Sequence, residues 1–376
     1  MVEKDVHPAD SALHGVKKIL QVSAHEQLMM TYFKHFNDFH LSFDYVLRKG
    51  GVDFRFKGDD AFDGELFYIT PMQESVLRWA LDLRAIIVRK KYRVVHFHLG
   101  WASIFGLFAC CGSGVKAITH IHSLQKSSSQ LNALVRALVK PIINMLSWRI
   151  LACSADAAAQ ISYQGRGKIL PNAIDYEKYK FNPKSRLRIR SELGVIKKTV
   201  FVHIGNFYKP KNHIFLIKVF QEIKKKYSDA FLVMAGADYG TMSSVMSVVK
   251  NLSLSDDVLF LGSREDVPDV LSASDVFLFP SLFEGAPISL IEAQVNGLPS
   301  IFSKQISNDI VISDFCFPCR ITESDIESWV VAVDKCINFG LDESSRAERS
   351  SSIAPLFDVR IVAHELEDIY LRAFDE

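Results

Sequence analysis

The chain is sparing in several respects, and each scarcity removes a class of protein. Its 376 residues carry a formal net charge of only +1, so no excess of one sign argues for nucleic acid as a partner. Cysteine occurs six times, in no spacing that suggests a disulfide framework. Cys316 and Cys319 form a C-x-x-C pair, but no second pair completes a zinc site. Cys110 and Cys111 lie in an apolar stretch and are expected in the core. No apolar run reaches the roughly 20 residues of a membrane-spanning helix. The opening residues are polar and lack the apolar centre of a secretory signal, which leads us to expect a cytoplasmic protein. Tandem repeats of short period are also missing. What remains is 48% hydrophobic and 23% charged, the balance of a globular chain. Its length suits two domains of ordinary size.

The densest chemistry lies between Ser274 and Pro299, S-D-V-F-L-F-P-S-L-F-E-G-A-P-I-S-L-I-E-A-Q-V-N-G-L-P. The apolar run Val276 to Phe279 is short enough for a buried parallel strand. A polar bend follows, and a helix is expected from Pro287 to Asn296, with proline at its first position and Gly297 just past its end. Glu284 stands before that helix and Glu292 in its second turn, spaced E-x7-E. The N–H groups of Gly285, Ala286, Ile288 and Ser289 fall where a helix start offers donors to an anion. A phosphate there, flanked by carboxylates that accept sugar hydroxyls, describes a nucleotide-sugar site. The plainer alternative is a carboxylate favoured by the helix dipole and a second, solvated glutamate.

Upstream, apolar strands alternate with helical segments. Strands are expected at Val16–Ser23, Leu41–Leu47, Leu66–Thr70, Arg93–His98, Val115–His122 and Arg149–Ser154. Helices are expected at Leu28–Phe36, at Glu74–Lys91 with Leu77, Ala80, Leu81 and Ile87 on one face, and at about Trp101 to Cys111. This β-α-β order argues for a doubly wound parallel sheet. His120 and His122 stand two apart at the carboxyl end of a strand and share a face, where open α/β sheets bind ligands. A metal at these two residues would need a third ligand, and His96 and His98 are taken as scaffold. Leu131–Trp148 is apolar with Arg136 and Lys140 interspersed. It is either a core helix interrupted by Pro141 or a segment that touches a membrane surface. The basic residues between Tyr176 and Leu193, Arg186 and Arg190 among them, are expected on a solvated face. Beyond them a second alternation begins. Strands are expected at Val200–Ile204, Ala230–Ala235, Val258–Gly262 and Leu298–Phe302, with helices over Ser324–Phe339 and Ser345–Phe374. The stretch Gly205 to His213, G-N-F-Y-K-P-K-N-H, leads from the first of these strands into an amphipathic helix.

The Ser274–Pro299 stretch resembles the signature of the retaining glycosyltransferases of family 4, which have the GT-B fold, and among them the bacterial capsule and exopolysaccharide type. K-I-L-P-N-A-I-D at Lys168–Asp175 and G-S-R-E-D-V at Gly262–Val267 are similar to further family motifs, and the resemblance covers nearly the whole chain. It implies an α/β protein with two Rossmann-like doubly wound domains facing a cleft. We expect an acceptor-side domain over residues 1–183, a donor-binding domain over 184–358 and a C-terminal helix, 359–376, returning to the first domain. It implies an enzyme that transfers a sugar from a nucleotide sugar to a hydroxyl with retention, in surface polysaccharide biosynthesis. The acceptor would be a lipid-linked glycan or oligosaccharide, reached by peripheral contact with the cytoplasmic face of the membrane.

The family assigns the transferred sugar to Glu284, the ribose hydroxyls to Glu292, and the leaving diphosphate to Lys211. It places a histidine against the donor sugar, assigned here to His122 with His120 the alternative. Gly205, Asn206, Lys209, Arg264, Gly285, Ala286, Pro287 and Ile288 complete the expected donor contacts. No cofactor is expected beyond the nucleotide sugar, a uridine or guanosine diphosphate derivative. No metal is expected either, because no Asp-x-Asp site precedes a suitable strand and a lysine can neutralise the leaving group. Three places depart from the family pattern, one of them Ala173, which stands where the family has glycine. Asn206 stands where an arginine is usual, and we expect Lys209 to substitute in part. Ala24–Gln27 stands where a Gly-Gly loop normally receives the acceptor. These departures keep open an impaired homologue acting as a binding partner. A GT-B nucleotide-sugar epimerase or phosphorylase is the other alternative, separable by product analysis without acceptor.

Overall fold

The computed structural model describes residues 16–23, 32–36, 40–49, 64–123 and 130–376. The Ala24–Gln27 loop and the first four residues of the expected Leu28–Phe36 helix lie outside them. The chain forms two compact units. The first takes the described residues up to His122, residues 130–170 and residues 362–376; the second takes Ser123 and residues 171–361. Residues 171–183, expected with the first domain, thus group with the second. A parallel bridge from Ile174 to Asp358 holds them there.

The first unit is built on a seven-stranded parallel sheet: β1 (Lys17–Val22), β2 (Leu41–Arg48), β3 (Leu66–Ile69), β4 (Val94–Phe97), β5 (Lys116–Ile121), β6 (Arg149–Ala152) and β7 (Gly167–Ile169). Their order across the sheet is β3-β2-β1-β4-β5-β6-β7. The second unit holds a six-stranded parallel sheet: β8 (Thr199–Ile204), β9 (Ala230–Ala235), β10 (Val258–Gly262), β11 (Val276–Phe279), β12 (Ser300–Ser303) and β13 (Cys316–Cys319), in the order β10-β9-β8-β11-β12-β13. The central strands β4 and β11 are buried at every residue, as expected where both faces of a parallel sheet are covered. The edge strands β7 and β10 are only partly buried.

The helix Val76–Lys90 starts at Ser75, whose hydroxyl accepts from Arg78 N, and ends at Lys91 in the left-handed conformation. Its buried face is Trp79, Leu83, Ile86 and Ile87, while Leu77 and Leu81 are exposed. Expectation and structure share only Ile87. The indole of Trp79 offers the largest apolar area on the helix and carries its own face inward. The helix Gln130–Leu146 runs through Pro141 without ending. Leu134, Val135, Leu138 and Met145 are exposed along it, so it is not simply a core helix. Cys111, expected in the core, is exposed in the turn beyond the helix Ser103–Cys110.

The basic run before β8 divides: Lys180, Lys184 and Arg188 are exposed as expected, whereas two of its arginines turn inward. Arg190, buried, and Arg186, partly buried, both on the helix Pro183–Glu192, pair with Asp275 at 3.1 and 2.6 Å. Asp275 also accepts from Val200 N at 2.7 Å. Arg346 lies fully buried beside them and donates to the carbonyls of Leu271, Ser272 and Ser274. This ionic knot closes the amino end of the second sheet, where β8 and β11 begin.

The chain's final helix, Val359–Asp375, belongs to the first unit from Val362 onward. Tyr370 on it is fully buried among Phe36, Phe43 and His96.

Candidate active site

In the second sheet, β8 and β11 are neighbours whose onward connections run in opposite directions, to β9 on one side and β12 on the other. Ligands of open α/β sheets bind beyond the carboxyl ends of the strands at such a switch point. Two loops leave it: residues 205–212 after β8 and 280–287 after β11. Backbone and side-chain bonds tie them together. Leu282 N donates to Pro210 O at 2.8 Å, and Asn212 Nδ2 donates to Pro280 O at 3.2 Å. Asn212 adopts the left-handed conformation, φ 57°, that asparagine tolerates better than most residues.

Each loop supplies one charge. Lys211 Nζ lies 2.7 Å from Glu284 Oε1. It also lies 4.6 Å from the centre of the Phe279 ring, a cation–π contact. Oε1 takes part in no aligned hydrogen bond, so the contact is an ion pair. Both side chains are largely buried, at 11% and 15% exposure, where an ion pair is less screened than at a surface. Under the lysine lie His203 and His213, stacked around Phe207 and Phe279. Burial holds His203 neutral, and burial pushes His213 down to about 4, with the charge of Lys211 adding to both shifts. Lys211 is therefore the cation of this layer.

The helix Ile288–Val295 points its start at the same place. Pro287 is its N-cap, one position outside the first-turn place expected for it. Leu290 and Ile291 N–H groups return to Pro287 O, and Ile288 and Ser289 head the helix. Asn172 Nδ2 donates to Ala286 O at 3.3 Å and steadies the turn. Gly297 ends the helix with φ +69°, and an added Cβ there would run into Arg346 O. Glu292 is buried on the second turn. Burial pushes its carboxyl up to about 7, against the hydrogen bond from Tyr179 and the charges of Lys178 and Lys211. Burial, with the charge of Glu292 adding to it, pushes the Tyr179 phenol up, so it stays protonated, a donor to Glu292.

The remaining expected donor residues divide. Gly205 packs so closely on the next loop that a Cβ at Gly236 would collide with its carbonyl. Asn206 spans the same gap, its Oδ1 accepting from Ala237 N at 3.0 Å. The position that usually carries a charge here fastens two loops instead. Lys209 is exposed at the start of the short turn Lys209–Lys211. Arg264 does not stand apart as a free cation. Its Nε and Nη2 grip Asp266 at 2.7 and 2.6 Å, with Glu192 at 3.5 Å. Tyr179, His203 and His213 were not among the sequence candidates. His213 lies in the quoted motif, but nothing in the spacing of Tyr179 points to a glutamate more than a hundred residues away.

The first unit has its own array beyond β4 and β5. His96 and His98 on or just past β4 lie beside His120 and His122 on or just past β5. The two histidines taken as scaffold thus stand against the two singled out. His120 is fully buried in the strand, whereas His122 is half-buried at its end. Burial holds His96 and His120 neutral. Ring nitrogens of His96, His98 and His120 lie within 4.8 Å of one another. The rings of His96 and His120 are parallel to 2°, with centroids 5.3 Å apart. His98 spends both nitrogens on His122 and Gln21.

Known proteins resemble this chain along most of its length. A family model described as Glycosyltransferase Family 4 matches residues 53–178, and one described as Glycosyl transferases group 1 matches residues 185–346. The glycosyltransferase EpsF of Bacillus subtilis is 27% identical over 296 residues, covering 76% of this chain and 77% of its own. An Escherichia coli UDP-Gal:α-D-GlcNAc-diphosphoundecaprenol α-1,3-galactosyltransferase is 26% identical over 317 residues, covering 77% and 78%. Among solved structures, Anabaena HepE in complex with UDP superposes with a TM-score of 0.77 at 16% identity, over 94% of this chain and 99% of its own.

Proposed function

We propose, for a chain that belongs to the family 4 glycosyltransferases of the GT-B fold, that it moves a sugar from a uridine diphosphate donor to a lipid-linked glycan, with retention at the anomeric carbon, in surface polysaccharide assembly. The observation that carries this reading is the Lys211–Glu284 pair at the switch point, with the start of the helix Ile288–Val295 beside it. A departing nucleoside diphosphate gathers negative charge. A lysine and a helix N-terminus fixed in advance stabilise that charge without reorganising as it forms. In the unliganded pair each charge is answered by the other. Donor binding lets the ammonium turn to the diphosphate and releases the Glu284 carboxylate to sugar hydroxyls. Glu292, ionised, accepts the ribose hydroxyls. His122 is the residue of the first unit that we assign to the donor sugar. Lys211 supplies the charge that a divalent ion supplies in other transferases, and we propose a reaction that uses neither metal nor cofactor.

The undecaprenol-linked substrate of the Escherichia coli relative supports a lipid carrier for the acceptor. No helix among the described residues is long and apolar enough to cross a membrane. Leu134, Val135, Leu138 and Met145 are exposed on the helix Gln130–Leu146, which also carries Arg136 and Lys140. That combination supports contact with an anionic membrane surface.

The test is calorimetric titration with UDP, GDP and their sugars, followed by transfer to undecaprenyl-diphosphate acceptors. We expect UDP-sugar binding that is lost in Glu292→Ala. We expect transfer to be abolished in Glu284→Ala while the melting temperature stays within a few degrees. Substantial transfer by Glu284→Ala sinks the assignment, and tighter binding of GDP sugars corrects the base.

A further inference from the structure

We propose that Tyr179 is a positioning residue for Glu292, its hydroxyl holding that carboxylate in place, and ionised, for the ribose hydroxyls of the donor. This rests on the reading of Glu292 as the ribose contact and goes a step below it, to what aims the carboxylate.

The two groups come from distant parts of the second unit. Glu292, on the second turn of the helix Ile288–Val295, is buried. Tyr179 closes the four-residue helix Tyr176–Tyr179, which packs against it. A buried carboxylate without a partner gives up its charge, and the Tyr179 O–H is the donor that answers this one. The phenol is itself held from behind. Tyr179 O accepts from Asn296 Nδ2 at 2.8 Å, and Asn296 lies one turn beyond Glu292 on the same helix end. Asn296 is fully buried and fixed in turn. Its Nδ2 also reaches Ser272 Oγ at 3.2 Å, while its Oδ1 and its carbonyl accept from the Arg346 guanidinium. At the other end of the short helix Asp175 is the cap, accepting from Glu177 N and Lys178 N.

The main chain of Tyr179 is therefore tied down before its hydroxyl meets Glu292, and the two helices are joined at points one turn apart. A carboxylate met at one oxygen by so fixed a donor has fewer poses, and its other lone pairs stay open to hydroxyls that donate. The same bond acts on charge. A donor to a carboxylate favours the ionised form, against the burial that raises this carboxyl. Lys178, on the short helix, and Lys211, on the loop after β8, work in the same sense through their charges. Asp175 faces the phenol and adds to its retention of the proton. The strands β11 and β12 beside the Glu292 helix carry no titratable side chain. On the helix Glu343–Ser352, packed on its other side, Arg346 and Arg349 turn to the carbonyls of Asn296 and Gly297, and Glu343 and Glu348 are exposed. The phenol is thus the uncharged group through which the fold sets both the pose and the charge of Glu292.

The experiment is a pH titration by carbon NMR of the full chain labelled at its glutamate carboxyls, alongside calorimetric binding of UDP over the same pH range. Glu292→Gln identifies the Glu292 signal by its loss. In the unaltered protein we expect that carboxyl to titrate at about 7. In Tyr179→Phe, which removes the hydroxyl alone, we expect the midpoint to rise by about one pH unit, as loss of a hydrogen bond to a charged group requires. UDP affinity should then fall about tenfold near pH 6 and by no more than about threefold near pH 9, where both proteins hold Glu292 ionised. A tyrosine that merely packed would leave the midpoint in place and lower affinity alike at both pH values. Tyr179→Leu gives the same comparison should Tyr179→Phe fail to fold. A midpoint that stays or falls without the hydroxyl overturns the proposal, and so does a loss of affinity that ignores pH. If Glu292→Ala binds UDP as tightly as the unaltered protein, it is the ribose reading that falls, and the carboxyl titration still decides whether Tyr179 holds Glu292.

Discussion

The two sheets are wound alike, with a first strand at the switch point and later strands to either side, yet their carboxyl ends are furnished in opposite ways. Beyond β8 and β11 stand charges: Lys211 against Glu284, with Glu292 close to titration. Beyond β1, β4 and β5 stand an amide, a phenol and imidazoles, joined in a chain of hydrogen bonds. Topology chooses where a ligand goes and leaves the chemistry to the residues placed there. The charged end suits a group that gains charge as the reaction proceeds. The neutral end suits hydroxyls, which need direction rather than charge.

Four substitutions test that contrast, and the largest effect is expected at the opposite end of the second sheet. Asp275→Ala strips the counter-charge from Arg186 and Arg190 where the strands begin. Removing one partner of a buried ion pair costs about 3–5 kcal/mol. We expect that loss in urea unfolding, with turnover of the folded fraction unchanged; a loss of kcat without loss of stability would mean that charge at the amino end also serves the reaction. Lys211→Met removes the cation beneath the proposed diphosphate. Losing one such electrostatic stabiliser should lower kcat by about 10²–10³, measured by product formation at saturating donor.

Glu292→Gln is expected to act through pH. Burial raises the Glu292 carboxyl from its usual 4.5 to about 7. Between those values the unfolded chain ionises it and the folded chain does not. Fold stability is therefore lost as pH rises through that window, while donor affinity is gained. We expect donor binding to weaken about tenfold per pH unit well below 7, and this slope to vanish in Glu292→Gln. A slope that persists in the variant assigns it to another group. The smallest effect is expected from Lys209→Ala. Its ammonium is exposed, so a loss of a few-fold in turnover, shrinking with added salt, is the signature of partial substitution for the missing arginine. An unchanged rate leaves Lys211 to act alone.

The charged end was legible in the sequence and the neutral end only in part. Glu284, Glu292 and Lys211 sit in short continuous motifs, where a strand, a bend and a helix start leave few arrangements. The alternation of apolar strands and helices foretold both sheets. The His98–His122 contact joins residues on different strands, and Tyr370 reaches Gln21 from the far end of the chain. Period-two alternation shows that two histidines share a face, but not which strand lies beside them. The buried arginines were misread for the same reason. Nothing near Arg186 or Arg190 in the sequence announces Asp275, and without a partner an arginine is rightly expected in water. Trp79 displaced the anticipated helix face because area, not the count of apolar positions, decides which side turns inward.

The return of residues 362–376 to the first unit also sets a schedule. Ribosomes add about 5–20 residues per second, so roughly ten to forty seconds separate Leu170 from Val362. Through that interval, while residues 171–361 are themselves being made, the first sheet waits for Tyr370, the partner of Gln21 Nε2 and His96 Nδ1. A chain that ended near Ile361 would leave the Phe43 ring without Tyr370 against it.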